Sequence, residues 1–247
     1  SREAVKVHAS LMSPWIKRTK HLFLYNILFS MFNRYDYLAL LTNRDKRDGN
    51  YKTNLEVIPN MMSSMTKEEN ISKLKNKKVI SVGSMYDKRK RFDVQIKLWK
   101  EIVKIHPDWV LDIYGDGFEK QNLEKLILDL NLGNNVNLHG NSDKMNEHYS
   151  EASMFLFTSM AEGLPMVLIE ALSFGIPCIA YDCPTSPSDI IKTNVDGYVV
   201  EQGNFNELKD KVLCLIENEE LRIEMGLQAK KNSERFLPEH VAELWKS

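Results

Sequence analysis

Cysteine is scarce. Three residues, Cys178, Cys183 and Cys214, appear among 247, and no two of them form a C-x-x-C pair. That argues against a disulfide scaffold or a zinc ribbon and fits a reducing cytosol. Net charge is also nearly absent: 33 Lys and Arg face 34 Asp and Glu. Without a basic field, nucleic acid is not an expected partner. No apolar run approaches the ~18 residues of a membrane span, and no signal peptide is visible. The longest candidate, "HLFLYNILFSMF" (His21–Phe32), is short and interrupted by polar residues, and it reads as a core helix. The basic "WIKRTKH" before it leaves room for a peripheral membrane contact. The chain has no D-x-D, no His/Asp cluster at metal spacing and no solenoid repeat. "VGSMYDKRK" lacks the G-x-G-x-x-G that a nicotinamide enzyme would want after its first strand.

What is present is ordinary globular composition, 43% hydrophobic and 27% charged, in strand–helix alternation. The chain starts at Ser1, in what reads as a strand already inside a fold, so a fragment or trimmed chain is expected. Short buried strands are expected at 4–8, 37–42 and 55–58, with a helix at about 15–33. Pro59-Asn60 and the polar, Met-rich residues after it read as a linker. Beyond it, strands at 78–84, 109–117, 135–140, 153–159, 177–182 and 196–200 alternate with helices at 91–105, 118–131, 143–151 and 165–174. Helices at 205–217, 219–233 and 238–246 follow. Such alternation predicts an α/β fold with a Rossmann-like parallel sheet covered on both faces. Ligands bind at the carboxyl ends of strands in these sheets. Those ends carry Gly83-Ser84, Gly115-Asp116-Gly117, His139-Gly140 and Thr158 to Gly163, so the glycines converge on one rim.

Within "TSMAEGLPMVLIEALSFGIPCIAYD" (Thr158–Asp182), Glu162 and Glu170 stand eight positions apart. Pro165 marks a helix start and Gly175 its end. Gly163 permits a backbone conformation with positive φ and a close approach by a ligand. The first N–H groups of the helix lack internal partners and sit at its positive end, which makes an anion site suited to a diphosphate. Glu162 projects from the turn toward the site. Glu170 lies farther along the helix and can accept hydrogen bonds from hydroxyls such as a ribose diol.

This stretch resembles the donor-site signature of retaining glycosyltransferases of the GT-B fold, family 4. There two glutamates with seven residues between them flank a G-x-P helix start. "VISVGSMYDKRKRFD" (79–93) resembles the strand and loop that bring a lysine to the donor diphosphate. "LDIYGDG" resembles the glycine loop after the next strand, and "NVNLHG" the strand into the base pocket. "NVDGYVV" resembles the segment after the sugar site, "VIPN" the interdomain hinge, and "ERFLPEHVAELWKS" the helix that crosses back to the first domain. "YDCPTSPSDII" resembles members acting in bacterial surface-polysaccharide assembly. The resemblance implies a complete C-terminal donor domain at 77–235 and a partial N-terminal, acceptor-side domain at 1–60. A linker at 61–76 and a crossover helix at 236–247 complete it.

By the same resemblance, Glu162 contacts the donor hexose hydroxyls and Glu170 the ribose. Backbone N–H groups of Gly163, Leu164 and Met166, around Pro165, touch sugar and diphosphate. Lys90 is the diphosphate lysine, and His8 is placed beside the transferred sugar. Gly115, Asp116 and Gly117 line the nucleotide pocket, while Asn141 and Ser142 meet the base. His139 reads more readily as a core histidine. Ser84 stands where the family usually has arginine, so Lys88 or Arg89 is a candidate replacement for that charge. The resemblance further implies retention of configuration without metal or other cofactor. The donor would be a nucleotide-hexose, often UDP-linked, and the acceptor a glycan or lipid-linked molecule. The expected location is cytoplasmic, with room for contact at the inner membrane. A glycoside hydrolase would also need two carboxylates, but has no use for a diphosphate cradle. A donor-binding unit without turnover is the remaining alternative.

Overall fold

This computed structural model describes residues 4–6, 31–32, 34–48, 52–63, 65–184 and 187–246. His8, the basic "WIKRTKH" and almost all of the helix expected at 15–33 lie outside the described residues.

Two parallel sheets are present. The first has three strands in the order β1-β2-β3, comprising β1 (Ala4–Lys6), β2 (Tyr37–Leu40) and β3 (Asn54–Val57). A short helix, α1 (Asn43–Asp48), follows β2. The second sheet contains β4 (Lys78–Val82), β5 (Val110–Tyr114), β6 (Val136–Gly140), β7 (Met154–Phe157), β8 (Cys178–Asp182) and β9 (Gly197–Glu201). Their spatial order is β6-β5-β4-β7-β8-β9, parallel throughout. Counted from β4 as its first strand, that is the doubly wound order, with a switch point between β4 and β7.

The apolar strands need cover on both faces, and the helices supply it. On one face, α2 (Phe92–Ile102), α3 (Lys120–Asp129) and α7 (Phe205–Glu217) bury Phe92, Ile96, Trp99, Leu123, Ile127, Leu208 and Val212. Phe92, Ile96 and Trp99 are the residues whose spacing predicts a helix there. On the other face, α4 (Met145–Glu151), α5 (Met166–Ser173) and α8 (Glu219–Ser233) contribute Tyr149, Leu168, Ile169, Leu172 and Ala229. α5 stops at Gly175, with Gly175 N–H donating to Leu172 O at 2.9 Å and Ile176 N–H to Ala171 O at 3.1 Å. A short helix α6 (Pro187–Ile190) and the closing helix α9 (Pro238–Leu244) complete the described elements.

Among the described residues of 61–76 there is no strand or α-helix, only a 3-10 turn at Glu68–Asn70, yet the segment is docked. Met62, Ser72 and Leu74 are buried, and Ser72 N–H donates to Phe174 O at 2.9 Å. The two sheets meet through named contacts. The Arg44 guanidinium pairs with Asp182 at 2.9 Å, and Arg44 N–H donates to Asp189 at 3.0 Å. Val241 of α9 is buried in one cluster with Ala39 of β2 and with Ile58, which follows β3.

Candidate active site

The site forms where β4 and β7 end side by side. After Val82 the chain passes Gly83 and enters a 3-10 turn at Lys88–Lys90, capped by Asp87, whose carboxylate accepts from Arg89 N–H at 2.9 Å. The loop after β7 is tied to that turn: Met160 N–H donates to Arg89 O at 2.8 Å, and Thr158 Oγ1 lies 2.9 Å from Lys90 O. Residues 72 positions apart are thereby brought together. Lys90 Nζ donates to Glu162 Oε1 at 2.6 Å, and Ser159 Oγ donates to the same oxygen at 2.6 Å. The Lys90 and Glu162 side chains are only 17% and 16% exposed. A Cβ on Gly83 would sit 3.0 Å from Lys90 Cε, so the bare glycine leaves the path that the lysine stem follows.

α5 begins immediately after this pair. Pro165 occupies its N-cap position, and the first-turn N–H groups point out at the positive end of the helix. Gly163 is not among the glycines with positive φ, and a Cβ there would meet only Leu41 Cδ1, at 3.9 Å. What the turn offers is open space beside Leu41. Glu170 lies one turn into α5, where its Oε2 accepts from the Tyr149 hydroxyl at 3.0 Å. Tyr149 is buried; burial first, then the Glu170 charge, pushes its phenol well above the usual range, so it stays protonated and donates. A cavity of about 340 Å³ opens beside Glu170, between α5 and Met62, Ser63, Met65, Thr66, Lys67 and Asn70.

The other expected residues spread along the same rim. Gly115 (φ 138°) and Gly117 (φ 150°) let the loop after β5 interlock with the loop after β4. Met85 N–H donates to Asp116 O, and Glu119 N–H to Met85 O, each at 2.9 Å. Asp116 is exposed on that loop. Ser84 Oγ lies 3.3 Å from Tyr86 N. Neither candidate for the missing arginine charge is brought to Glu162: Arg89 Nε donates to Asp87 at 2.8 Å, and Lys88 sits 3.9 Å from Glu119.

Asn141 is exposed, and Ser142 Oγ lies 2.9 Å from His148 Nε2. His139 is not a core residue, because β6 is an edge strand of its sheet. Its ring is partly exposed, bonds Asp112 at 2.9 Å and stacks on Tyr114 at 4.5 Å between centroids. His148 also stacks on Tyr114, at 4.4 Å between centroids. Burial, then the charges of Asp112 and Glu151, push the Tyr114 phenol up to about 12.

Tyr149, Ser159 and His148 join the expected residues at this rim. Ser159 lies three positions before Glu162 and was legible as a local hydroxyl partner. Tyr149 and His148 sit on a different helix and carried no such signal.

The family model described as "Glycosyl transferases group 1" matches residues 64–232. The chain belongs to this family. Among relatives of this group 1 chain, an amylovoran biosynthesis glycosyltransferase of Erwinia amylovora is 33% identical over 219 residues, covering 84% of this chain and 60% of that protein. A poly(ribitol-phosphate) alpha-N-acetylglucosaminyltransferase of Staphylococcus aureus is 32% identical over 186 residues, covering 74% of this chain and 38% of that one. A solved structure of an S. aureus TarM mutant, in complex with fondaparinux, alpha-GlcNAc-glycerol and UDP, matches with a TM-score of 0.80 and 28% identity. It covers 90% of this chain and 45% of TarM. The fold is that of the GT-B glycosyltransferases, here with the C-terminal type of Rossmann-like domain. This group 1 chain spans at most 60% of the length of the relatives named.

Proposed function

We propose that this chain carries the donor site of a retaining, metal-independent hexosyltransferase. It would move a hexose from a UDP-sugar to a glycan or lipid-linked acceptor in bacterial surface-polysaccharide assembly. The observation that carries this reading is the meeting of Lys90 and Glu162 at 2.6 Å, at the sheet's switch point and beside the start of α5. The relatives' roles in amylovoran and poly(ribitol-phosphate) chemistry, and the UDP in the TarM complex, support the substrate class. The cytoplasm, at the inner membrane face, is the location that reading fits.

The donor diphosphate lies against Lys90 and the α5 N-terminus. Negative charge grows on the departing phosphate as the bond to the hexose C1 breaks, and those positive groups stabilise it. Glu162 turns from Lys90 to the hexose hydroxyls, and Glu170 takes the ribose diol. The acceptor oxygen attacks C1 from the face the phosphate leaves, and its proton passes to the departing phosphate oxygen. No protein nucleophile enters. Lysine and helix dipole supply the positive charge that a cation would supply elsewhere.

Calorimetric titration with UDP, GDP and ADP in the presence of a chelator tests this. One nucleotide binds, and Lys90→Ala and Glu170→Ala each weaken it. Absence of nucleotide binding would overturn the proposal. Binding without transfer from a labelled UDP-hexose would favour the second reading, a donor-binding unit without turnover.

A further inference from the structure

We propose that Met62, Ser63 and the stretch from Met65 to Asn70 form the outer wall of the nucleoside subsite, and that the side-chain amides of Asn70 and Asn146 read the edge of the base. This rests on the donor-site reading above.

The cavity beside Glu170 runs along one face of α5. Met166, Glu170 and Ser173 all line it, and their spacing of four and then three places them on a single stripe of the helix. The stripe is about 10 Å long at 1.5 Å per residue. It starts at the helix N-terminus, where the diphosphate belongs, and passes Glu170, where the ribose belongs. The direction is then fixed, and the base lies one turn farther on, toward Ser173. Asn70 and Asn146 line the same cavity from two other elements. Neither of their side-chain amides is hydrogen-bonded among the described residues. Each offers two donors and an acceptor, the set that a base edge with adjoining carbonyl and N–H groups requires.

The wall opposite α5 is built in advance. Met62 N–H donates to Phe236 O at 2.8 Å, and the Thr66 and Ser173 hydroxyls bond at 2.8 Å. Lys230 Nζ donates to Thr66 O at 3.0 Å, and Ser72 N–H holds the far end to Phe174. A wall fixed at both ends and in the middle loses little freedom when a ligand enters. Met65 and Met166 line the same space, and thioethers suit the face of an aromatic ring. The volume of about 340 Å³ falls within the range of small-molecule sites.

This differs from the base contacts that the resemblance implied. Asn141 and Ser142 do not line the cavity, and the Ser142 hydroxyl is already engaged by His148 and by Lys144 N–H. Base recognition would therefore depend on the segment that joins the two sheets.

The test titrates the chain with UDP and, separately, with inorganic pyrophosphate. Asn70→Ala removes one amide, and Ser63→Trp fills the cavity from the exposed outer wall. UDP affinity should fall about five- to tenfold in Asn70→Ala, the size of one lost hydrogen bond, and further in Ser63→Trp. Pyrophosphate affinity should stay unchanged in both variants and fall in Lys90→Ala. UDP binding within twofold of the parent in Asn70→Ala, or UDP binding no tighter than pyrophosphate in the parent, would overturn the inference and leave the diphosphate site standing. Failure of the parent to bind either probe would overturn the donor-site reading and this inference together.

Discussion

Replacing Lys90 with Met and Glu162 with Gln, singly and together, measures the contact on which the site is built. Met keeps the apolar stem that lies under Gly83 and removes only the ammonium, so packing is preserved. At 2.6 Å and an effective dielectric near 20, two unit charges attract by about 6 kcal/mol. Removing both charges from water offsets most of that, at several kcal/mol per ion when fully buried and less here, where each side chain keeps about a sixth of its exposure. The surplus should appear as a coupling of about 2 kcal/mol in a double-mutant cycle. Lys90→Met alone should cost about 2 kcal/mol, because Glu162 loses its cationic partner while Ser159 still donates. The double variant should recover most of that loss. Urea unfolding of the four proteins gives the four free energies, with m expected to be constant. A coupling below about 0.5 kcal/mol, the level of an exposed pair, would refute the reasoning. Lys90 and Glu162 would then not be held together at the switch point in solution.

Further outcomes follow from single contacts. Tyr149→Phe keeps the ring between Phe155 and Phe174 but removes the hydroxyl on Glu170; it should cost about 1 kcal/mol of stability and weaken UDP binding several-fold by calorimetry. Gly115→Ala would put a Cβ 1.9 Å from Gly83 O at φ 138° and should lose roughly 3 kcal/mol or more, whereas Gly133→Ala, with nothing within 4 Å, should be near neutral in the same urea melts. Asp196 is buried, and burial raises its carboxyl pKa against the hydrogen bonds from Lys192 N–H and Asn232. The folded form therefore holds this proton more tightly than the unfolded chain, and the contribution favours folding at low pH and is lost as pH rises from about 4 through the raised value. Asp196→Asn should remove that slope when stability is measured from pH 4.5 to 7.5.

The fold was legible because its signals are local. Strand and helix positions followed from apolar runs and from spacings such as Phe92–Ile96–Trp99, and the ends of α5 from Pro165 and Gly175. Short elements such as Asn43–Asp48 and Pro187–Ile190 escaped, because one or two turns carry too few residues to show a period. Strands were read one or two residues too long at the rim, as at 153–159 against Met154–Phe157. There the chain leaves the ladder, and Thr158 and Ser159 bond the neighbouring loop instead. At the site, both glutamates and Lys90 were picked out by motif, yet nothing local says that Lys90 reaches Glu162 and Arg89 does not. Asp87 decides that by capping the turn and holding the Arg89 guanidinium.

The residues least visible in the sequence are those that act across elements. Tyr149 orients Glu170 from α4, and Thr66 braces Ser173 from the segment between the sheets. These contacts share a cause. β4 and β7 are neighbours in space but are separated in sequence by two strand–helix units, so every group at their shared rim is supported by chain from elsewhere. The same holds for the junction with the first sheet. Asp182 ends β8 on that rim and receives Arg44 from α1, while Gly163 opens toward Leu41 at the end of β2. The turn that carries Glu162 is thus bounded on one side by its own sheet and on the other by the first. A shift between the two sheets would change the space that lies between Gly163 and Leu41, next to the residue that carries the Glu162 carboxylate.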